Sequence, residues 1–133
     1  MDMLPPAFTA HVIPGTAQGR VIGTPTINLD LAAIPSDIKE GVYAARARLP
    51  DEQEWSAASV HYGPRPVFQE GPSFEVHIID RNIDVPPVTL EVALMEWLRP
   101  VQDFPSVEAL KTQIEEDIEG SRAIAASREP GQP

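Results

Sequence analysis

A chain of 133 residues is long enough for one domain with a real core and too short for two independent ones. Hydrophobic residues make up 42%, which argues against wholesale disorder despite 15 prolines, and a formal charge of -10 argues against a nucleic-acid backbone or an anionic membrane surface as the main partner. Without cysteine there is neither a disulfide framework nor a thiolate metal site.

The start, Met1-Asp2-Met3-Leu4-Pro5-Pro6, lacks the basic stretch and apolar core of a signal peptide, and no apolar run approaches membrane-spanning length. A cytoplasmic monomer is the expectation. The ends, 1–6 and 127–133, read as flexible tails around a single domain over 7–126.

Between them lie short β-leaning segments punctuated by Gly and Pro, the pattern of an antiparallel barrel or sandwich. The first is 8–13, ended by Pro14-Gly15. A string Gly23-Thr24-Pro25-Thr26-Ile27-Asn28-Leu29 follows, then a loop with Pro35, then 41–49, whose later part alternates small apolar and basic residues. The next strand, 55–62, is broken by Gly63-Pro64-Arg65-Pro66. A loop carries Gly71-Pro72, and 74–80 runs on as a buried strand. The turn Asp84-Val85-Pro86-Pro87 leads into 88–98, the longest apolar run.

After Pro100 the period changes. Val107, Leu110, Ile114 and Ile118 recur at steps of three, four and four, placing them on one helix face with acidic residues opposite. Ser106 suits the N-cap and Lys111 to Glu115 is an i,i+4 pair. The helix ends at Gly120 or continues to about Ala126. Strands first and one helix last read as a β-barrel with a helix packed on it, because a parallel α/β sheet needs helices between its strands.

Several signatures are absent: a Walker A string, a dinucleotide glycine fingerprint, a protein-kinase catalytic loop and a Gly-x-Ser-x-Gly elbow. The histidines His11, His61 and His77 lack ligand spacing for zinc. Thr26 and Asn28, one residue apart in a segment that Pro25 holds extended, point the same way and offer the hard oxygens that Mg²⁺ takes beside water and phosphate. They equally fit a Thr-Pro-Thr turn capped by Asn28. Upstream, Gly15-Thr16-Ala17-Gln18-Gly19-Arg20-Val21-Ile22-Gly23 combines three glycines with one cation, as a phosphate flap does and as ordinary interstrand loops also do.

In Phe74-Glu75-Val76-His77-Ile78-Ile79-Asp80, Phe74, Val76 and Ile78 share one strand face while Glu75, His77 and Ile79 share the other. A glutamate there is solvated on an outer face, paired with an arginine, or held as a general base in a partly dry pocket. His77 either orients that carboxylate or fills the barrel wall.

In order along 8–118, these segments resemble the riboflavin kinase family. Gly23-Thr24-Pro25-Thr26-Ile27-Asn28 is similar to its Gly-x-Pro-Thr-x-Asn string, and Glu75-Val76-His77-Ile78-Ile79-Asp80 to its Glu-x-His string followed by two aliphatics and a polar residue. Gly41-Val42-Tyr43, Tyr62-Gly63-Pro64-Arg65-Pro66, and Leu98-Arg99-Pro100 with Phe104, Ser106, Leu110, Gln113-Ile114 and Asp117 match its remaining elements. The resemblance implies a mainly β fold, a six-stranded antiparallel Greek-key barrel with a C-terminal α-helix. It implies ATP under the flap with Gly15, Gly19, Arg20 and Gly23 at the phosphates, Thr26 and Asn28 at ATP and Mg²⁺, riboflavin near Glu75 and Arg99, and Glu75 as the base for the ribityl 5′-hydroxyl. FMN and ADP are the implied products. The length leaves no room for the adenylyltransferase domain fused to many bacterial relatives, so the single-domain form is the expectation.

The chain departs from the family pattern at places that bear on activity. Ala17 and Gln18 stand where glycine and a basic residue are usual, Ile27 replaces a usual alanine, Val85-Pro86-Pro87 stands where a Tyr-Gly is often found, and Val101 replaces a glutamate. A catalytically weakened flavin- or nucleotide-binding module of the same fold is therefore the alternative. Arg99 can equally pair with Glu91, Glu96 or Asp103.

Overall fold

The computed structural model describes residues 4–14, 25–65 and 70–128. They form strands β1 (Phe8–Ile13), β2 (Ile27–Leu29), β3 (Gly41–Arg48), β4 (Ser56–Arg65), β5 (Glu70–Ile78) and β6 (Thr89–Arg99), then helix α1 (Val107–Ala126). The strands close into a barrel in the order β1-β2-β5-β4-β3-β6, antiparallel at every seam. β6 returns beside β3 after the β3-β4-β5 meander, which is the Greek-key arrangement the resemblance implies. Closure leaves none of these strands as a bare sheet edge.

Side-chain alternation divides the wall into an inside and an outside. Leu29, Tyr43, Val60, Phe74, Val76 and Leu94 point inward and are essentially inaccessible to solvent. Ala45, Ala47 and Ala58 join the same core, and their small volume suits the narrow interior of a six-stranded barrel. Phe74 meets Phe8 edge-on at 5.9 Å between ring centroids and Tyr62 at 5.5 Å. Burying a side chain like Phe74 contributes roughly 1.5–3 kcal/mol.

Two strand boundaries differ from the sequence expectation for one reason. Gly63-Pro64 does not end β4; the strand continues to Arg65, with a register irregularity between Gly63 and Arg65. Gly63 has φ +131°, so glycine carries the ladder through the bulge, and the missing N–H of Pro64 falls inside it. On the partner strand Gly71 and Pro72 likewise lie within β5 and not in a loop. At the start of β3, Gly41 has φ +148°, and a Cβ there would lie 2.3 Å from Trp97 Nε1 and 2.5 Å from the Arg99 carbonyl oxygen. Only glycine allows β3 to approach β6 this closely.

Ser106 caps α1 as its sequence position predicts, with Oγ accepting from the Ala109 N–H at 3.1 Å. Gly120 does not stop the helix, which runs to Ala126. Its far end is stitched to the barrel. Arg46 of β3, only 6% exposed, donates to the carbonyls of Ala125 and Arg128 at 2.8 Å each, and Arg128 donates to the Met95 carbonyl of β6 at 2.8 Å. Cations at the last carbonyls satisfy groups that a helix end leaves without partners. The buried helix positions are Leu110, Asp117 and Ser121, so one of the acidic residues expected on the solvent side faces the barrel instead. Among the described residues no helix is long and apolar enough to cross a membrane.

Candidate active site

The inward set fixes the outward one. Because Ile27 and Leu29 of β2 and Phe74, Val76 and Ile78 of β5 fill the core, alternation sends Thr26, Asn28, Ser73, Glu75 and His77 to the outer surface. Register then aligns them with residues far away in sequence. Asn28 pairs with Glu75, Glu75 with His61, His61 with Val42 and Val42 with Arg99. Five strands thus present one transverse row, Asn28, Glu75, His61, Val42 and Arg99, on the outside of the barrel.

Helix α1 roofs part of this row. Ile114, Asp117 and Ile118 join Thr26, His61, Glu75, His77 and Arg99 among the residues that line a cavity of about 30 Å³. That volume holds about one or two waters. Glu75 is 9% exposed beneath this cover. Its Oε1 accepts from the Thr26 hydroxyl at 3.3 Å, and its Oε2 accepts from the Ser73 hydroxyl at 2.9 Å. A carboxylate gripped through both oxygens has its orientation defined, as a general base needs.

The two strings singled out in the sequence therefore meet. Thr26 and Glu75 are 49 positions apart and in hydrogen-bond contact, while Asn28 lies directly across the ladder from Glu75. His77 faces the same side as Glu75, yet its Nδ1 lies 2.8 Å from the carbonyl oxygen of Pro25.

Arg99 lines the cavity in a bidentate ion pair. Nε and Nη2 reach Asp117 at 3.0 and 2.8 Å, and Nη1 donates to the Pro100 carbonyl at 3.1 Å. Gln113 adds a donor to Asp117 at 3.1 Å. The partner is on the helix, not among the three acids expected near the strand: Glu91 pairs with Arg48, Glu96 pairs with Arg128, and Asp103 accepts from the Phe104 N–H. Arg99 and Asp117 are 13% and 8% exposed as side chains, so the pair ties α1 to β6 at the cavity's edge.

Gly15, Gly19, Arg20 and Gly23, the expected phosphate flap, lie outside the described residues. Among the described residues no group of three or more His, Asp or Glu side chains could hold a metal. The donor set here is two neutral oxygens, from Thr26 and Asn28, beside one carboxylate. That fits a hard cation such as Mg²⁺ when phosphates supply the remaining oxygens, and does not fit an all-protein cage. Ser73, His61 and Asp117 join the site without having been singled out for it. Ser73 is two residues before Glu75, so the alternation that exposed Glu75 would have exposed it too.

Comparison with known proteins agrees with this geometry. The family model described as Flavokinase, riboflavin kinase, matches residues 3–125. The bifunctional riboflavin kinase/FMN adenylyltransferase of Listeria monocytogenes is 33% identical over 118 residues, which is 89% of this chain and 38% of that protein. The protein of the same name from Pseudomonas fluorescens is 36% identical over 121 residues, 90% of this chain and 38% of its own length. The one from Escherichia coli K12 is 34% identical over 114 residues, 85% and 36% respectively. The chain thus spans less than two fifths of these relatives. A crystal structure described as a macrolide-efflux protein from Streptococcus pneumoniae superposes with a TM-score of 0.69 at 32% identity, covering 87% of this chain and 38% of that one. With a family match over nearly all its length and the family's two strings in contact across the barrel wall, the chain belongs to the riboflavin kinase family.

Proposed function

We propose that this chain transfers the γ-phosphoryl group of ATP to the 5′-hydroxyl of riboflavin, giving FMN and ADP. The observation that carries the proposal is the Thr26–Glu75 contact, which joins the phosphate-side string to the carboxylate string at the mouth of a helix-roofed cavity. Phosphoryl transfer rests mainly on alignment of nucleophile and leaving group and on compensation of phosphate charge. In this reading Glu75 takes the proton from the ribityl hydroxyl as that oxygen bonds to the γ-phosphorus. The bond to the β–γ bridging oxygen breaks, and ADP leaves with its electron pair.

Thr26 and Asn28 would hold Mg²⁺, which offsets phosphate charge when bound. The flap residues Gly15, Gly19, Arg20 and Gly23 would carry the nucleotide by the same family logic. Arg99 serves riboflavin through its pair with Asp117, by setting the wall against which the flavin rests. The present cavity, about 30 Å³, is far smaller than a flavin-sized pocket of about 300 Å³ or more, so it accounts for the reacting end of the site and not for the whole flavin. The working unit is the domain over 7–126. The unit is taken to act as a cytoplasmic monomer.

The test is formation of FMN from riboflavin, ATP and Mg²⁺, followed by chromatography. Glu75→Gln keeps the shape and removes the base, so flavin binding persists while kcat falls by ~100- to 10,000-fold. Absence of FMN from folded wild type would refute the kinase reading, and riboflavin binding without FMN would make the barrel a binding module.

A further inference from the structure

Among the described residues, the backbone ladder of β2 stops one residue short of Thr26. β2 is only three residues long, and its ladder with β5 starts at Ile27 opposite Val76. Thr26 precedes that ladder, and Pro25 has no N–H with which to extend it. Pro25 is also exposed. Among the described residues, two side-chain ties from β5 reach this stretch: the long Thr26–Glu75 hydrogen bond of 3.3 Å and the His77–Pro25 contact of 2.8 Å. The second is the better bond by distance.

A carbonyl oxygen only accepts, so His77 must present a protonated Nδ1 to Pro25. We infer that His77 is a positioning residue for the phosphate side of the site: its Nδ1–H donates to the Pro25 carbonyl just before the β2–β5 ladder begins and so holds Thr26 over Glu75. Glu75 is reached from the same strand two residues earlier, so one stretch of β5 both presents the carboxylate and clamps the segment opposite it. The inference rests on the proposed kinase reading for its catalytic consequence, while the hydrogen bond itself does not.

The two parts are tested separately. In the unliganded protein at pH 8.5, above the ordinary imidazole range, long-range ¹⁵N–¹H correlation should show the His77 ring in the Nδ1–H tautomer. The Nε2–H tautomer would overturn the inference whatever the enzyme does. His77→Asn keeps a donor on the atom bonded to Cγ, and His77→Leu keeps bulk without one. His77→Leu is expected to raise the Mg·ATP concentration for half-maximal rate by about tenfold, the scale of one lost hydrogen bond. Calorimetric binding of Mg·ADP without riboflavin should weaken by the same factor, and His77→Asn should restore both values to within about twofold. Active wild type with a His77→Leu variant of unchanged Mg·ATP requirement, or a His77→Asn variant as impaired as His77→Leu, would overturn the positioning role. If wild type makes no FMN, the kinase reading fails and the tautomer still decides whether the clamp exists. Should His77→Leu not fold, the tautomer and His77→Asn decide.

Discussion

Removing the Asp117 carboxylate is the sharpest perturbation of the helix–barrel seam. Arg99 is 13% exposed and its Nε and Nη2 both point at Asp117, so Asp117→Ala leaves a guanidinium in a site with little access to water. Gln113 loses its acceptor as well. Breaking a buried pair from one side costs about 3–5 kcal/mol, and the partial exposure of Arg99 places this case near 3. With a urea slope of about 2 kcal/mol per molar, the unfolding midpoint should fall by about 1.5 M. Native stabilities of about 5–15 kcal/mol leave the variant folded without denaturant.

The control replaces both partners. Arg99→Met with Asp117→Leu removes the charges together and keeps volume, so most of the lost stability should return, as buried pairs often prove neutral against apolar substitutes. The double-mutant cycle should then report a coupling of about 2 kcal/mol or more. A midpoint shift below about 0.5 M for Asp117→Ala, or strict additivity in the cycle, would refute the reasoning and make the pair a surface contact in energetic terms.

Gly41→Ala should lower the melting temperature by about 10 °C, from a cost of about 3 kcal/mol, because its Cβ would meet Trp97 Nε1 and the Arg99 carbonyl while φ stays at +148°. Trp97 donates to the Glu40 carbonyl at 3.2 Å, so its fluorescence reports the same disturbance; an unchanged melt would show that β3 and β6 yield there without cost. Arg81 donates to Glu52 at 2.9 and 2.7 Å, and this hydrogen bonding holds the Glu52 carboxyl below its usual range. A depressed folded-state pKa stabilises above the unfolded value of 4.5 and is lost as pH falls through the folded one. Glu52→Gln should thus cost about 0.5 kcal/mol at pH 7 and nothing near pH 2, checked by urea unfolding at both; equal costs would contradict the assignment.

The barrel was legible because Gly and Pro separate its β-leaning segments, and because a period of two survives in β1 and in the 74–79 stretch of β5. Where the reading stopped short, tertiary pairing had overruled a local breaker. Gly63-Pro64 and Gly71-Pro72 are loop dipeptides by themselves, yet β4 and β5 pair through them by way of a bulge. Gly120 costs about 1 kcal/mol inside a helix, and α1 still continues because Arg46 and Arg128 fasten its last turn to β3 and β6. No window of neighbouring residues contains those partners. Asp117 was hidden for the same reason: an acid on an acidic helix reads as solvated until Arg99 is known to lie beneath it.

The departure at Ile27 shows what register adds to a string of letters. Read between two metal-side residues, an isoleucine in place of alanine looks like a disturbance of the site. In the barrel Ile27 is 8% exposed and belongs to the core, whereas Thr26 and Asn28 lie on the opposite face of the strand. Its added carbons are therefore felt by the interior. There they strengthen the preference for the register that turns Thr26 and Asn28 outward, since a slip of one residue would expose both Ile27 and Leu29 and bury Asn28. A three-residue strand has few other means of fixing its pairing, and among the described residues β2 pairs with β1 through Val12 with Leu29 and Ile13 with Asn28. The side chain that breaks the family pattern thus supports the placement of the two residues that keep it.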